Sequence, residues 1–174
     1  MHRVKYLGAI ALVALSLAAC GGGGVPPGEY AEEFCGSASD WLDEIQSGAE
    51  EMTSKLTPDP EEVKELILGY LEDVIAKTEE TIGEIEDIGE PEGAADFHEE
   101  ALDVFEEAQT AFEDARDQVE ELDTSDPQAL GTSLQNIGTE LQDKGNELQE
   151  RTSNVPDELQ SAFEDEESCS DLGI

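Results

Sequence analysis

The chain has 174 residues, with 45 Asp and Glu against 8 Lys and Arg, for a net charge of −37. So acidic a surface excludes nucleic-acid binding, which needs basic patches to neutralise phosphates, and it repels anionic lipid headgroups; the partners it attracts are cations, cationic peptides and basic proteins. Aromatic residues make up only 5% of the chain, a composition that raises the question of disorder; apolar residues recurring at helical spacing argue against it.

The first elements in chain order are a short basic start, Arg3 and Lys5, and an apolar run over residues 7 to 19 that closes on small residues. This is the layout of a secretory signal. A run of about 13 residues is too short to span a bilayer as a helix, which needs roughly 20. Leu17-Ala18-Ala19-Cys20 resembles the lipobox of bacterial lipoproteins. That resemblance implies cleavage before Cys20 and a diacylglycerol on its sulfur, with the membrane as a partner through that lipid. It implies an exported protein, held on the extracytoplasmic face of the cell membrane. Two or more acyl chains anchor stably where one is marginal. The expected organisation is a signal peptide over 1–19, a lipidated Cys20 with a Gly/Pro tether over 20–28, and an acidic helical domain over 29–174. Gly21 to Gly28 reaches at most about 25–29 Å, so the domain stays near the membrane.

Four helices are predicted after the tether. Residues 30 to 56 place Ala31, Cys35, Ala38, Leu42, Ile45, Ala49, Met52 and Leu56 at alternating spacings of four and three, a helical seam, with Phe34 and Trp41 widening one side. Asp59-Pro60 then reads as an N-cap followed by a first-turn proline, and the glutamates behind it suit the positive end of a helix. This second helix runs through Val63, Ile67, Tyr70, Val74 and Ile85 to Ile88, with Gly89 as its stop. The third follows Pro91. In it His98, Phe105, Phe112 and Val119 repeat every seven residues, as do Ala94, Ala101, Ala108 and Ala115. Ser125-Asp126-Pro127-Gln128 repeats the cap signal, and the fourth helix carries Leu130, Leu134, Ile137, Leu141 and Leu148. Asn154-Val155-Pro156 breaks the pattern, and a short amphipathic tail follows through Leu159 and Phe163.

Long helices joined by short connections lie antiparallel. The predicted fold is all-α, an up-down-up-down four-helix bundle with a short helical tail folded over one end. A three-helix bundle with a long, poorly packed arm is the alternative topology. With Cys20 assigned to lipid by the lipobox resemblance, Cys35 and Cys169 remain in an oxidising compartment, and the bundle brings both to one end. A Cys35–Cys169 disulfide closing the tail is the expectation.

Gly131, Gly138 and Gly145 recur every seven residues inside the fourth helix, where each costs about 1 kcal/mol relative to alanine. Two readings stand: close packing beneath Phe105 and Phe112, or a groove along the helix that admits an apolar ligand or partner segment. Lys77, Arg116 and Lys144 fall beside seam positions and are expected to pair with acids across helices; Arg116 as an anchor for an anionic ligand is the lesser reading.

His98 is the single histidine after residue 20, and neither a second histidine nor a Glu-x-x-His pair accompanies it, so a structural place at the bundle end outweighs a metal-ligand role. Residues 164 to 171 read as a solvated acidic tail in preference to a weak calcium or magnesium site. Nucleophile-elbow, phosphate-loop and calcium-loop motifs are missing. The pattern calls for no cofactor, metal or catalytic residue. The domain resembles, in style, the small all-helical lipoproteins of high-GC Gram-positive bacteria, a resemblance that implies no activity. The expected function is a non-catalytic cell-envelope module binding a protein or an apolar ligand. The alternative is a surface protein sequestering cations on its carboxylates.

Overall fold

A computed structural model describes residues 23–152 and 154–172, which form six helices. They are α1 (Pro27–Ser54), α2 (Pro60–Ile88), α3 (Ala95–Glu120), α4 (Pro127–Thr152), α5 (Asp157–Asp165) and α6 (Glu167–Leu172). Cys20, with the signal and lipobox, lies outside the described residues. Among the described residues, no helix is long and apolar enough to cross a membrane.

The helix starts are where the caps place them. Asp59 Oδ1 accepts the Glu61 N–H at 2.9 Å ahead of Pro60, and Asp126 Oδ1 accepts the N–H groups of Gln128 and Ala129 at 3.0 and 3.2 Å. Each satisfies backbone donors that the first helical turn leaves open. α2 stops at Gly89, whose φ of 80° glycine adopts without strain. The carboxyl end of α3 is capped from another helix: Lys64 Nζ, in the first turns of α2, donates to the carbonyls of Glu120 and Leu122 at 2.7 and 2.9 Å. A cation there opposes the negative end of the helix dipole.

The order of packing is α1 on α2, α2 on α3 and α3 on α4, each neighbour antiparallel. This is the predicted bundle, with a further arrangement at its seam. α4 packs on α3 and not closely on α1, while α5 and α6 both cross to α1. The Cys35–Cys169 disulfide locks that crossing, with Cα atoms 5.0 Å apart at a sequence separation of 134. Both cysteines are fully buried. They meet because the tail is laid along α1, not because α4 itself ends beside it.

Around this clamp lies the densest core. Tyr30 and Phe34 stack with ring centroids 5.6 Å apart, and Phe97 and Phe163 meet edge to face at 5.6 Å. Ile85 and Leu159 are fully buried beside them. A second cluster joins α2, α3 and α4 through Leu71, Ala115, Val119 and Ile137.

α1 behaves differently along its length. Ala31, Cys35 and Ala38 are buried, whereas Leu42, Ile45, Ala49 and Met52 are half-buried and Leu56 is 51% exposed. On α2 the buried stripe is Leu71, Val74, Thr78, Thr81 and Ile85, so two threonines fill the gap between the apolar residues visible in the sequence.

The amino-terminal boundary also shifts. A tether ending at Gly28 was expected, but Val25 already pairs with the α2–α3 connection. Its N–H donates to Glu90 O at 2.8 Å, and its carbonyl accepts from Glu92 N at 2.8 Å, forming a single parallel β-bridge with Pro91. A Cβ on Gly24 would stand 2.7 Å from Glu92 N, so that crossing needs glycine. Residues 24–28 therefore belong to the folded domain.

Candidate functional site

Because α4 leans on α3 and the tail covers only the first half of α1, a cleft opens between α1 and α4 with α3 as its floor. It measures about 300 Å³. Ala38, Trp41 and Leu42 form the α1 wall; Phe105, Ala108 and Phe112 form the floor. Leu141, Gly145 and Leu148 form the α4 wall, and Leu172 of α6 closes one end.

The aromatic wall is held in place by polar groups behind it. Trp41 Nε1 donates to Thr78 Oγ1 at 2.9 Å, and that hydroxyl donates to Val74 O at 2.8 Å. A buried indole N–H requires such a partner. The Trp41 ring meets Phe105 edge to face, with centroids 5.1 Å apart. Thr78 carries no apolar or charge signal in the sequence; only the buried threonine pair in α2, read as a break in the seam, could have pointed to it.

The α4 wall is tied to the floor by ions. Lys144 Nζ lies 2.8 Å from Glu107 and 3.4 Å from Glu147, and Arg151 bonds Glu100 at 2.5 Å and Glu107 at 2.7 Å. Hydrogen bonds from Lys144 and then Arg151 hold the Glu107 carboxyl below the usual carboxylate range, and the Glu107 bond raises the Lys144 ammonium. Of the three basic residues expected to pair across helices, Lys144 does so. Lys77 bonds Glu80 and Arg116 bonds Asp117, both within their own helices.

The glycine stripe divides. Gly145, with Phe105 and Phe112, lines the cleft; Gly131 and Gly138 lie outside it. All three are exposed, and a Cβ on any of them would meet nothing within 4 Å. Close packing is thus not what these glycines serve, because α4 turns them to solvent while its leucines face α3.

His98 sits in the clamped core with Nδ1 3.2 Å from Tyr30 Oη. Burial lowers its pKa, against the pull of Glu90, Glu99 and Glu86, and burial pushes the Tyr30 phenol up. Burial thus disfavours the imidazolium, and the hydrogen bond between Tyr30 Oη and His98 Nδ1 links α1 to α3. Among the described residues, no group of three His, Cys, Asp or Glu side chains is arranged to hold a metal ion. The acidic tail spans the junction of α5 and α6, where Glu166 Oε1 accepts from Ser168 Oγ at 3.0 Å.

A larger hollow of about 850 Å³ lies at the start of α3. It is open and bordered by Glu90, Glu92, Asp96 and Glu100, and its arginine, Arg151, is committed to glutamates. The cleft, in contrast, is apolar and walled on three sides, the usual character of a small-ligand site. Comparison with known protein families, with curated proteins and with solved structures finds no match for the chain.

Proposed function

We propose that the protein is a non-catalytic binding module of the cell envelope, exported and held at the membrane by a lipid on Cys20, whose site is the cleft between α1, α3 and α4. The observation that carries this reading is the cleft itself: about 300 Å³ bounded by Trp41, Phe105, Phe112, Leu141 and Leu148. An apolar hollow of this kind gains free energy by releasing water to an apolar ligand. Among the described residues its lining holds no serine, cysteine, histidine or carboxylate for nucleophilic or acid–base work, and its one amine, Lys144, is held by Glu107 and Glu147.

Cys20 supports the anchor through the lipobox resemblance, and the pairing of Cys35 with Cys169 supports an oxidising compartment. The domain then stands close to the bilayer, because four residues, Gly21 to Gly24, separate Cys20 from the backbone bonds of Val25. Two measurements test the reading. Intact mass of protein extracted from membranes should show acyl chains on a chain starting at Cys20, and Cys20→Ala should release the protein from membranes. Apolar ligands should change the emission of Trp41, the only tryptophan of the chain. A ligand-independent Trp41 signal across apolar compounds would remove the binding role.

A further inference from the structure

The lining of the cleft specifies the charge of what enters it. We propose that the site selects a compact, uncharged, ring-bearing molecule and rejects both anions and cations of the same shape. This rests on the reading of the cleft as a binding site.

The chain has 45 acidic residues, yet among the described residues no acidic side chain lines the cleft. Lys144 lines it, but its ammonium is held by Glu107 and Glu147, so that charge is already balanced. One exposed stripe of α4, running into the cleft at Gly145 and Gln149, is uncharged as well. Gly138, Gln142, Gly145 and Gln149 follow one another along it, and Pro127 to Thr139 contains no charged residue. The other three long helices are dense in carboxylates over comparable lengths.

An anionic ligand would be repelled by the surrounding acids and would desolvate its charge with no unclaimed cation to receive it. A cation would find the attractive field outside, but no carboxylate inside to replace its water. An uncharged molecule meets neither penalty. Its shape follows from the walls: the edge-to-face pair of Trp41 and Phe105, with Phe112 beyond, presents ring faces and edges that favour another ring. A volume of about 300 Å³ is at the low end for ligand sites, which limits the guest to a small ring system.

The test uses the mature chain carrying Cys20→Ser and three probes with one ring system: N-phenyl-1-naphthylamine, its sulfonate and its trimethylammonium derivative. Probe fluorescence and energy transfer from Trp41 report binding. The neutral probe should bind saturably at one site, at least tenfold more tightly than either charged form, with little dependence on salt. Gly145→Leu should remove that binding. Gly138→Leu, equally exposed on α4 but outside the cleft, should keep it, and both variants should fold because a Cβ meets open space at each position.

Tighter binding of the sulfonate or the ammonium form, still removed by Gly145→Leu, overturns the charge class and leaves the cleft reading standing. Binding unaffected by Gly145→Leu, or no saturable binding of any probe, overturns both. A wild-type dimer that the neutral probe or Gly145→Leu dissociates would mean that a second copy occupies the cleft, and would also overturn the proposal.

Discussion

The two halves of α1 carry one apolar seam and meet different fates. From Tyr30 to Ala38 the helix is buried under α3, α5 and α6, with the disulfide at its centre. From Leu42 to Leu56 the same periodicity continues, yet its residues are half-buried or exposed. Periodicity is a property of one helix, whereas burial needs a partner, and α5 and α6 pack on the first half. The cleft opens where the covered half gives way to the uncovered one, against Ala38, Trp41 and Leu42. The clamp and the cleft are thus two consequences of one choice, the crossing of α5 and α6 to α1 in the place where α4 would close a symmetric bundle.

The strongest way to break this comparison is to cut the clamp. Cys169→Ala removes a cross-link over 134 residues, which the chain-entropy model values at about 5 kcal/mol. Denaturant unfolding should show a loss of that order. Binding in the cleft should weaken too, because Leu172 on α6 closes its end.

Next in size is a paired truncation. Phe163→Ala, in the clamped core, should cost about 3–5 kcal/mol, as for other buried aromatics. Leu42→Ala, half-buried on the cleft wall, should cost no more than about 1–2 kcal/mol, since less surface leaves water on folding. Equal losses at the two positions would show that the halves of α1 are covered alike.

A smaller effect of opposite sign is expected on α4. Gly138→Ala should stabilise by up to about 1 kcal/mol through helix propensity, because the added methyl group meets open space. Destabilisation would show that α4 lies against a neighbour in solution.

The last test concerns protons. Burial depresses the pKa of His98, so the folded state binds its proton less readily than the unfolded state does. This contribution to stability is fully present above the ordinary histidine value of about 6.5 and is lost as pH falls from there through the folded value. NMR titration of the His98 ring should give a midpoint below 6.5; a midpoint above it would contradict the burial of the ring against Tyr30.

Much of the fold was legible in the sequence because it is encoded locally. Asp59-Pro60, Gly89 and Asp126-Pro127 mark helix ends with groups that act within one turn. The seams of α1, α3 and α4 follow from the helical period, and the Cys35–Cys169 pairing follows once Cys20 is set aside for lipid. The candidate site was legible only in part. Phe105, Phe112 and Gly145 were within reach, but Gly131 and Gly138 carry the same spacing and lie outside. A seven-residue repeat selects a stripe on a helix without saying which way the stripe faces. Thr78 was hidden for a related reason: a threonine is buried when a neighbour such as the Trp41 indole needs its oxygen, a demand that arises 37 residues away in the chain.

By itself, the sequence determined the helices, their ends, their apolar faces and the acidity of everything else, all of which depend on residues a turn or two apart. Tertiary structure alone decided that the tail, not α4, lies on the first half of α1, and that an apolar cleft opens where that cover ends. That choice depends on which surfaces compete for one helix face, and a clamp made by Cys169, Phe163 and Leu159 outweighs an α4 whose leucines are already spent on α3.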